Sequence, residues 1–350
     1  MHPDVIGVHD VGVHDIRVWL AMEYEPGVRS GMEADALSRR RGADAVVFSW
    51  VEMQRAVPMD VYDFAALKDD AAAFYRDLAD RPVVLRGLPG FVDLKASRLL
   101  AAIAGTSLRV IDTETDEKPD MPAERLLAEQ ARGSTRYNVF ESPLRARAGK
   151  APLPLPFFAR QNLLLDDDHG LAWRASSLVL SAAGTFTSLH VDSLGTQNWM
   201  ALVTGRKRWA AYAEADFDAV FDPARREFHD PRRHAAESFP RLRFTRRHEH
   251  VAEPGELVFI PAGWPHEVTT LERSVGIGGS VINEHQIEQT VRSWRRERSL
   301  GLPSLADFPA VLRRQASRHC GDAGRRRVER ALRGDTKCHL KDLLGAREHT

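Results

Sequence analysis

SSLVLSAAGTFTSLHVDSLGTQNWMALVTGRKRWAAY, residues 176–212, decides the fold. It consists of short runs rich in Val, Leu, Phe, Trp and Thr, broken at Gly184, Gly195 and Gly205. The same texture returns in ELVFIPAGWPHEVTTL, residues 256–271, and SVGIGGSVIN, residues 274–283. Short β-type runs at frequent turns predict an antiparallel barrel or sandwich. The expected class is therefore mainly β with helical additions.

Within that stretch, His190 and Asp192 are two residues apart. Alternate residues of a strand point to the same face, so the imidazole and the carboxylate project together. Downstream, ELVFI reads as a strand, PAGWP as a tight turn, and His266 as the first residue of the next strand. Two histidines and one carboxylate form the facial set that suits Fe(II) and leaves three coordination positions open. Each piece alone is a weak signal; the order on one β-domain strengthens it. Thr187, three residues before His190, has an odd offset and reaches the same side only if the strand bends. Lys207, in the turn GRKRW, could supply a cation to a dicarboxylate across the barrel. It is one of only seven lysines beside forty-two arginines.

Working outward, FAALKDDAAAFYRDL at 64–78 carries apolar residues at helical spacing and reads as one amphipathic helix. PVVLRGL reads as a short buried strand, Leu94–Ala104 as a helix, residues 113–135 as an acidic loop with a helical piece, and RYNVFES at 136–142 as a strand. Four prolines at 143–157 mark an irregular connection. After Asn283 the texture is helical and Arg-rich, with 15 basic and 9 acidic residues in 284–350, read as a solvated helical face. The organisation expected is a leader at 1–50, a catalytic β-domain at 51–283 with its core at 176–283, and a helical region at 284–350. In the leader, IRVWLAME fits a strand or a helix start.

The 350 residues carry 49 basic and 49 acidic side chains, a net charge of zero that argues against a nucleic-acid coat protein. Two cysteines exclude a disulfide scaffold and point to a reducing compartment. No apolar run reaches the ~18 residues that span a bilayer, and the acidic start MHPDVIGVHDVGVHD is not a signal peptide. A cytoplasmic protein is expected, and Arg- and Ala-rich usage suggests a bacterial one. The histidines His2, His9 and His14, the pairs His319-Cys320 and Cys338-His339, and the run Asp166-Asp167-Asp168-His169 lack metal-site spacing and are read as structural or solvated. Leu305, Phe308, Val311 and Leu312 form a stripe that must be buried, either on the chain itself or in a homodimer.

GTFTSLHVDSLGTQNWMALVTGRKRWAAY followed by PGELVFIPAGWPHEV resembles the JmjC and cupin-like Fe(II)- and 2-oxoglutarate-dependent oxygenases, most closely the subgroup of the lysyl hydroxylase JmjC-domain protein 6. The likeness is strong over about 176–283. It is weaker at PVVLRGLPGF and YNVFES, general in the C-terminal helices, and absent in the first fifty residues. It implies a double-stranded β-helix (jelly-roll) core with N-terminal α/β elements and a C-terminal helical region. It implies iron held by His190, Asp192 and His266, and 2-oxoglutarate and O₂ as cosubstrates. Thr187 and Lys207 would hold the far carboxylate of 2-oxoglutarate, and Asn138 and Tyr137 would line its pocket. Trp199 matches an aromatic position read as packing. This chain has Met200 and Ser280 where the subgroup has asparagines that help position cosubstrate or water; Ser280 is expected at that cosubstrate-binding position, and the substrate does not carry over. The reaction implied is hydroxylation of an amino-acid side chain in a protein, peptide or free amino-acid-like substrate. N-demethylation, a cupin enzyme without 2-oxoglutarate, a non-catalytic binding module and a nucleic-acid-directed demethylase are the competing readings. Neither nucleic acid nor a membrane is an expected partner.

Overall fold

The computed structural model describes residues 7–14, 17–23, 56–67, 69–115, 117–143, 154–164, 176–235, 238–302 and 305–334. They fall into two compact units, one within 1–54 and 231–244, the other within 55–230 and 245–350. In the first, β1 (Gly7–His14) and β2 (Arg17–Glu23) form an antiparallel hairpin. Of the segment IRVWLAME, Arg17–Glu23 thus lies on a strand. His2, Asp166–Asp168, His169, Cys338 and His339 lie outside the described residues.

The second unit opens with β3 (Ala56–Pro58) and β4 (Asp60–Asp63). The single helix expected over 64–78 is two: α1 (Phe64–Leu67) and α2 (Ala71–Asp77). Asp69 takes a left-handed φ of 54°, and the Asp70 carboxylate accepts the Ala73 N–H at 3.0 Å. That cap starts a second helix and overrides the continuous apolar spacing. There follow β5 (Val83–Arg86), α3 (Ala96–Ile103), β6 (Ser107–Arg109), β7 (Ile111–Asp112), β8 (Asp120–Pro122), α4 (Ala123–Ala131) and β9 (Tyr137–Pro143).

The central strands are β10 (Ser177–Ser181), β11 (Phe186–His190) and β12 (Gln197–Tyr212). After the short α5 (Phe217–Val220), β13 (Phe221–Asp222) and β14 (Glu227–Phe228) come β15 (Arg247–Ala252), β16 (Glu256–Ile260) and β17 (His266–Val281). The main sheet runs β4-β5-β16-β12-β17-β10-β9-β7, with β11 on β17 and β15 between β12 and β3. QNWMALVTG and RKRWAAY are one strand of 16 residues, and so are HEVTTL and SVGIGGSV. Each changes partner along its length. The first half of β12 pairs with β16 and its second half with β15. Likewise β17 pairs with β11 at its start and β10 at its end. Strands that pass from one sheet to the other make the jelly-roll core of a double-stranded β-helix.

The bend in β12 lies at its register shifts between Leu202 and Lys207. Gly205 sits there at φ +82°, and a Cβ would overlap the Arg273 carbonyl. Gly205→Ala is expected to cost about 2 kcal/mol or more, left-handed strain plus overlap. Thermal denaturation checks this; an unchanged midpoint would show that the bend tolerates a side chain.

The central strands β10 and β16 are buried on both faces, which is why they read as nearly continuous apolar runs. Leu257 and Phe259 of β16 join a cluster with Phe74, Phe157, Phe158 and Trp199, and Phe74 stacks on Phe158 at 4.6 Å. Val258 and Ile260, on the opposite face, join Val179, Met200, Trp209 and Val268 inside the barrel.

Three helices follow: α6 (Ile287–Ser299), α7 (Phe308–His319) and α8 (Asp322–Arg333). Phe308 and Leu312 are buried with Ile287, Val291 and Trp294, and Leu305 packs against this cluster. Val311 is buried as well. The apolar stripe considered for a homodimer is therefore covered by the chain's own helices. Among the described residues, no helix is long and apolar enough to cross a membrane.

Candidate metal centre

His190 ends β11 and His266 begins β17, and the two are direct cross-strand partners. Their ring centroids are 4.3 Å apart. Asp192 follows on the turn after β11, with Oδ2 3.7 Å from His266 Nε2. One ligand atom from each of the three residues lies within 4.8 Å of the others.

The hydrogen bonds fix which nitrogen faces this point. His190 Nδ1 lies 2.8 Å from the Ser188 carbonyl, and His266 Nδ1 lies 3.0 Å from the Trp264 carbonyl. A carbonyl only accepts, so each Nδ1 carries the proton and each Nε2 keeps its lone pair. Backbone carbonyls in this role orient and strengthen metal-binding imidazoles. Burial, with the neighbouring His190 adding to it, pushes His266 down to about 4. It is thus neutral at physiological pH, the form a metal requires. Two imidazoles and a carboxylate are the donor set that fits a divalent iron.

A cavity of about 370 Å³ runs inward from these three residues. Its apolar wall is Val179, Met200, Trp209 and Val268. Thr187 also lines it. The register of β11 against β17 shifts between Thr187 and His190, which is the bend its odd offset demands. Deeper in, Lys207 is only 2% exposed. Its Nζ donates to Ser181 Oγ and Thr270 Oγ1, each at 3.0 Å. No carboxylate among the described residues pairs with it. Burial without a counter-charge lowers its pKa to about 7.

The sequence reading missed Ser181 and Thr270. Thr270 shares the strand face of His266 and Val268, so alternation along β17 could have found it. It also missed Asn198, which lines the cavity directly across from Ser280. Asn198 is two residues before Met200, hence on the same face. The structure does not bring Asn138 and Tyr137 to the cavity. The Asn138 amide is spent on Thr135 O, Ala182 N and Thr185 Oγ1, tying β9 to the turn after β10. Tyr137 packs against the main core beneath the Arg136 guanidinium. Trp199 is fully buried, edge-on to Phe91 at 5.9 Å. The loop read as acidic contributes Lys118 to the cavity lining, while its Glu114 pairs with Arg136 at 3.2 Å.

The turn carrying Asp192 is held from behind. Glu297 of α6 is buried and accepts the Leu194 N–H at 2.9 Å and the Gly195 N–H at 2.8 Å. Burial pushes its carboxyl up to about 7, against the pull of these two donors.

A double-stranded β-helix with two histidines and a carboxylate at one end of its cavity defines a cupin-type metal domain. Residues 101–294 match the family model of the cupin-like domain, and the chain belongs to that family. Among curated proteins it is similar to the arginine-specific demethylase JMJ20 of Arabidopsis thaliana, 31% identical over 110 residues, or 31% of this chain and 24% of that protein. It is also similar to the 2-oxoglutarate and iron-dependent oxygenase JMJD4 of Homo sapiens, 28% identical over 127 residues, or 33% and 28%. The lysine-specific demethylase 7A of Homo sapiens is 25% identical over 131 residues, or 37% and 14%. The matched region spans about a quarter of the length of the first two of these relatives.

Proposed function

We propose that this chain is an Fe(II)- and 2-oxoglutarate-dependent oxygenase that hydroxylates a C–H bond of an amino-acid side chain, in a protein, peptide or free amino-acid-like substrate. The observation that carries this reading is Lys207. A desolvated cation without a carboxylate partner is costly, and it stands in the same cavity as the three metal donors. A keto acid with a second carboxylate matches both ends. His190, Asp192 and His266 would hold the iron, and Thr187, Ser181 and Thr270 would surround the carboxylate that meets Lys207. The relative named as a 2-oxoglutarate and iron-dependent oxygenase supports the same pairing.

Bound iron would supply the redox chemistry: one O₂ and one 2-oxoglutarate give succinate, CO₂ and one oxygen atom inserted into a substrate C–H bond. The protein orients the keto acid, keeps the His266 imidazole neutral and excludes water behind the apolar wall. If the carbon attacked is an N-methyl group, the hydroxylated product collapses to formaldehyde and the amine. Similarity to a protein named as an arginine-specific demethylase favours keeping that second reading. Formaldehyde release with a methylated peptide separates it from stable hydroxylation.

The direct test is anaerobic addition of Fe(II) and then 2-oxoglutarate, following the visible charge-transfer band of a chelated keto acid. Wild type is expected to develop the band and His190→Ala to lack it. A folded protein that binds metal but shows no band would remove 2-oxoglutarate from the reaction.

A further inference from the structure

We infer that Glu297, on the C-terminal helix α6, is a positioning residue that frees Asp192 for the metal. This rests on the metal site proposed above. Asp192 occupies the N-cap position of the 3-10 turn Ser193–Gly195, with extended φ −66° and ψ 133°. An aspartate at that position ordinarily accepts the N–H groups two and three residues on. Those donors are Leu194 and Gly195, and the Asp192 side chain caps neither. Both are taken by Glu297, one by each carboxylate oxygen. The carboxylate that would otherwise fold back onto its own turn is left to face His266.

The turn is shaped for this. Leu194 has φ +64° and Gly195 φ +58°, and the N–H groups of both converge on the one Glu297 carboxylate. A left-handed leucine is unfavourable and persists only where its surroundings hold it. Here α6 does so from close range. A Cβ on Gly195 would overlap the Thr290 carbonyl and lie 3.1 Å from Ser293 Cβ. Ser293 Oγ also lies 3.4 Å from Glu297 Oε1. The Arg-rich C-terminal region is thus part of the metal centre's support.

Glu297→Gln removes one of the two acceptors and turns an amide donor toward a backbone donor. A released N–H then competes for Asp192. Mn(II) affinity, measured anaerobically on the full chain, is expected to fall about 10- to 100-fold, the usual cost of losing a group that orients a ligand. Glu297→Asp keeps the charge but is one methylene too short to reach both donors, and is expected to lose affinity to a smaller degree. Leu126→Ala, buried in the separate core cluster that contains no residue of the turn, serves as the control for lost stability. Weak Mn(II) binding in Glu297→Gln, with near-normal binding in an equally destabilised Leu126→Ala, is the expected result. Unchanged affinity in both Glu297 variants, or equal loss in Leu126→Ala, would overturn the inference. A wild-type protein that binds no Mn(II) would overturn the metal site itself, and is distinguished by that alone.

Discussion

Asp192→Asn is expected to abolish 2-oxoglutarate turnover while leaving the fold intact. The three donors lie within 4.8 Å of one another, and only Asp192 carries a negative charge. An amide oxygen is a weak, neutral ligand, so the substitution leaves two imidazoles to bind a dication without charge compensation. Outer groups that merely orient ligands are worth roughly 10- to 100-fold. Loss of a ligand should exceed this, and succinate formation should fall by on the order of 10³-fold or more, about 4 kcal/mol. The metal-free fold should scarcely change, because Asp192 is half-buried and the His266 imidazole 3.7 Å from it is neutral. The metal-dependent rise in melting temperature should disappear. In wild type, metal at 100 times its Kd adds about 2.7 kcal/mol. Succinate measurement and thermal denaturation with and without Mn(II) check both halves. Wild-type succinate yield from Asp192→Asn would sink the assignment.

The three candidate metal donors were legible because each follows from a local rule. His190 and Asp192 obey strand alternation, and PAGWPH announces a turn that delivers His266 to a strand start. Lys207 was legible as a cation out of place in an arginine-rich chain. Thr187 was legible only as a condition, since no sequence pattern announces the register shift that brings it round. Asn138 and Tyr137 were assigned to the cavity through resemblance, which transfers a position but not what its side chain is already bonded to. In this chain the Asn138 amide is consumed by Ala182, Thr185 and Thr135. Strand β15, RHEHVA, escaped notice because charged and imidazole side chains hide its period. Glu297 was not legible at all. It stands 105 positions beyond Asp192 in a helix whose sequence, IEQTVRSWRRERS, reads as a solvated basic face. Only the three-dimensional packing of α6 on the turn turns an ordinary helical glutamate into a capping anion.

Lys207→Met is expected to raise the stability of the cosubstrate-free protein and to destroy binding of 2-oxoglutarate. The lysine is buried and its only described partners are two neutral hydroxyls. Methionine fills similar volume without a charge to desolvate. Replacing buried charge by well-packed apolar groups has stabilised other proteins by about 1–4 kcal/mol, and the lost hydrogen bonds to Ser181 and Thr270 offset part of that. The pH dependence carries the sign. Burial lowers the folded-state pKa to about 7 from an ordinary 10.5. Between those values the unfolded chain binds the proton and the folded chain releases it, so wild-type stability rises with pH across that window. Below about 7 both states are protonated and the full burial penalty applies. The advantage of Lys207→Met should therefore be largest at pH 7 and below, and shrink toward 10.5. For 2-oxoglutarate the effect is opposite. Truncating one side of a buried charge pair costs about 2–5 kcal/mol, which is roughly 30-fold or more in Kd. The dianion should also hold Lys207 protonated, so binding above pH 7 takes up a proton. Melting curves across pH and calorimetric titration in buffers of different ionisation enthalpy check these outcomes. A variant that is less stable at pH 7 and binds 2-oxoglutarate normally would mean that the lysine is structural. The expected result has the other meaning: a cation that weakens the fold by itself is retained because a dicarboxylate completes it.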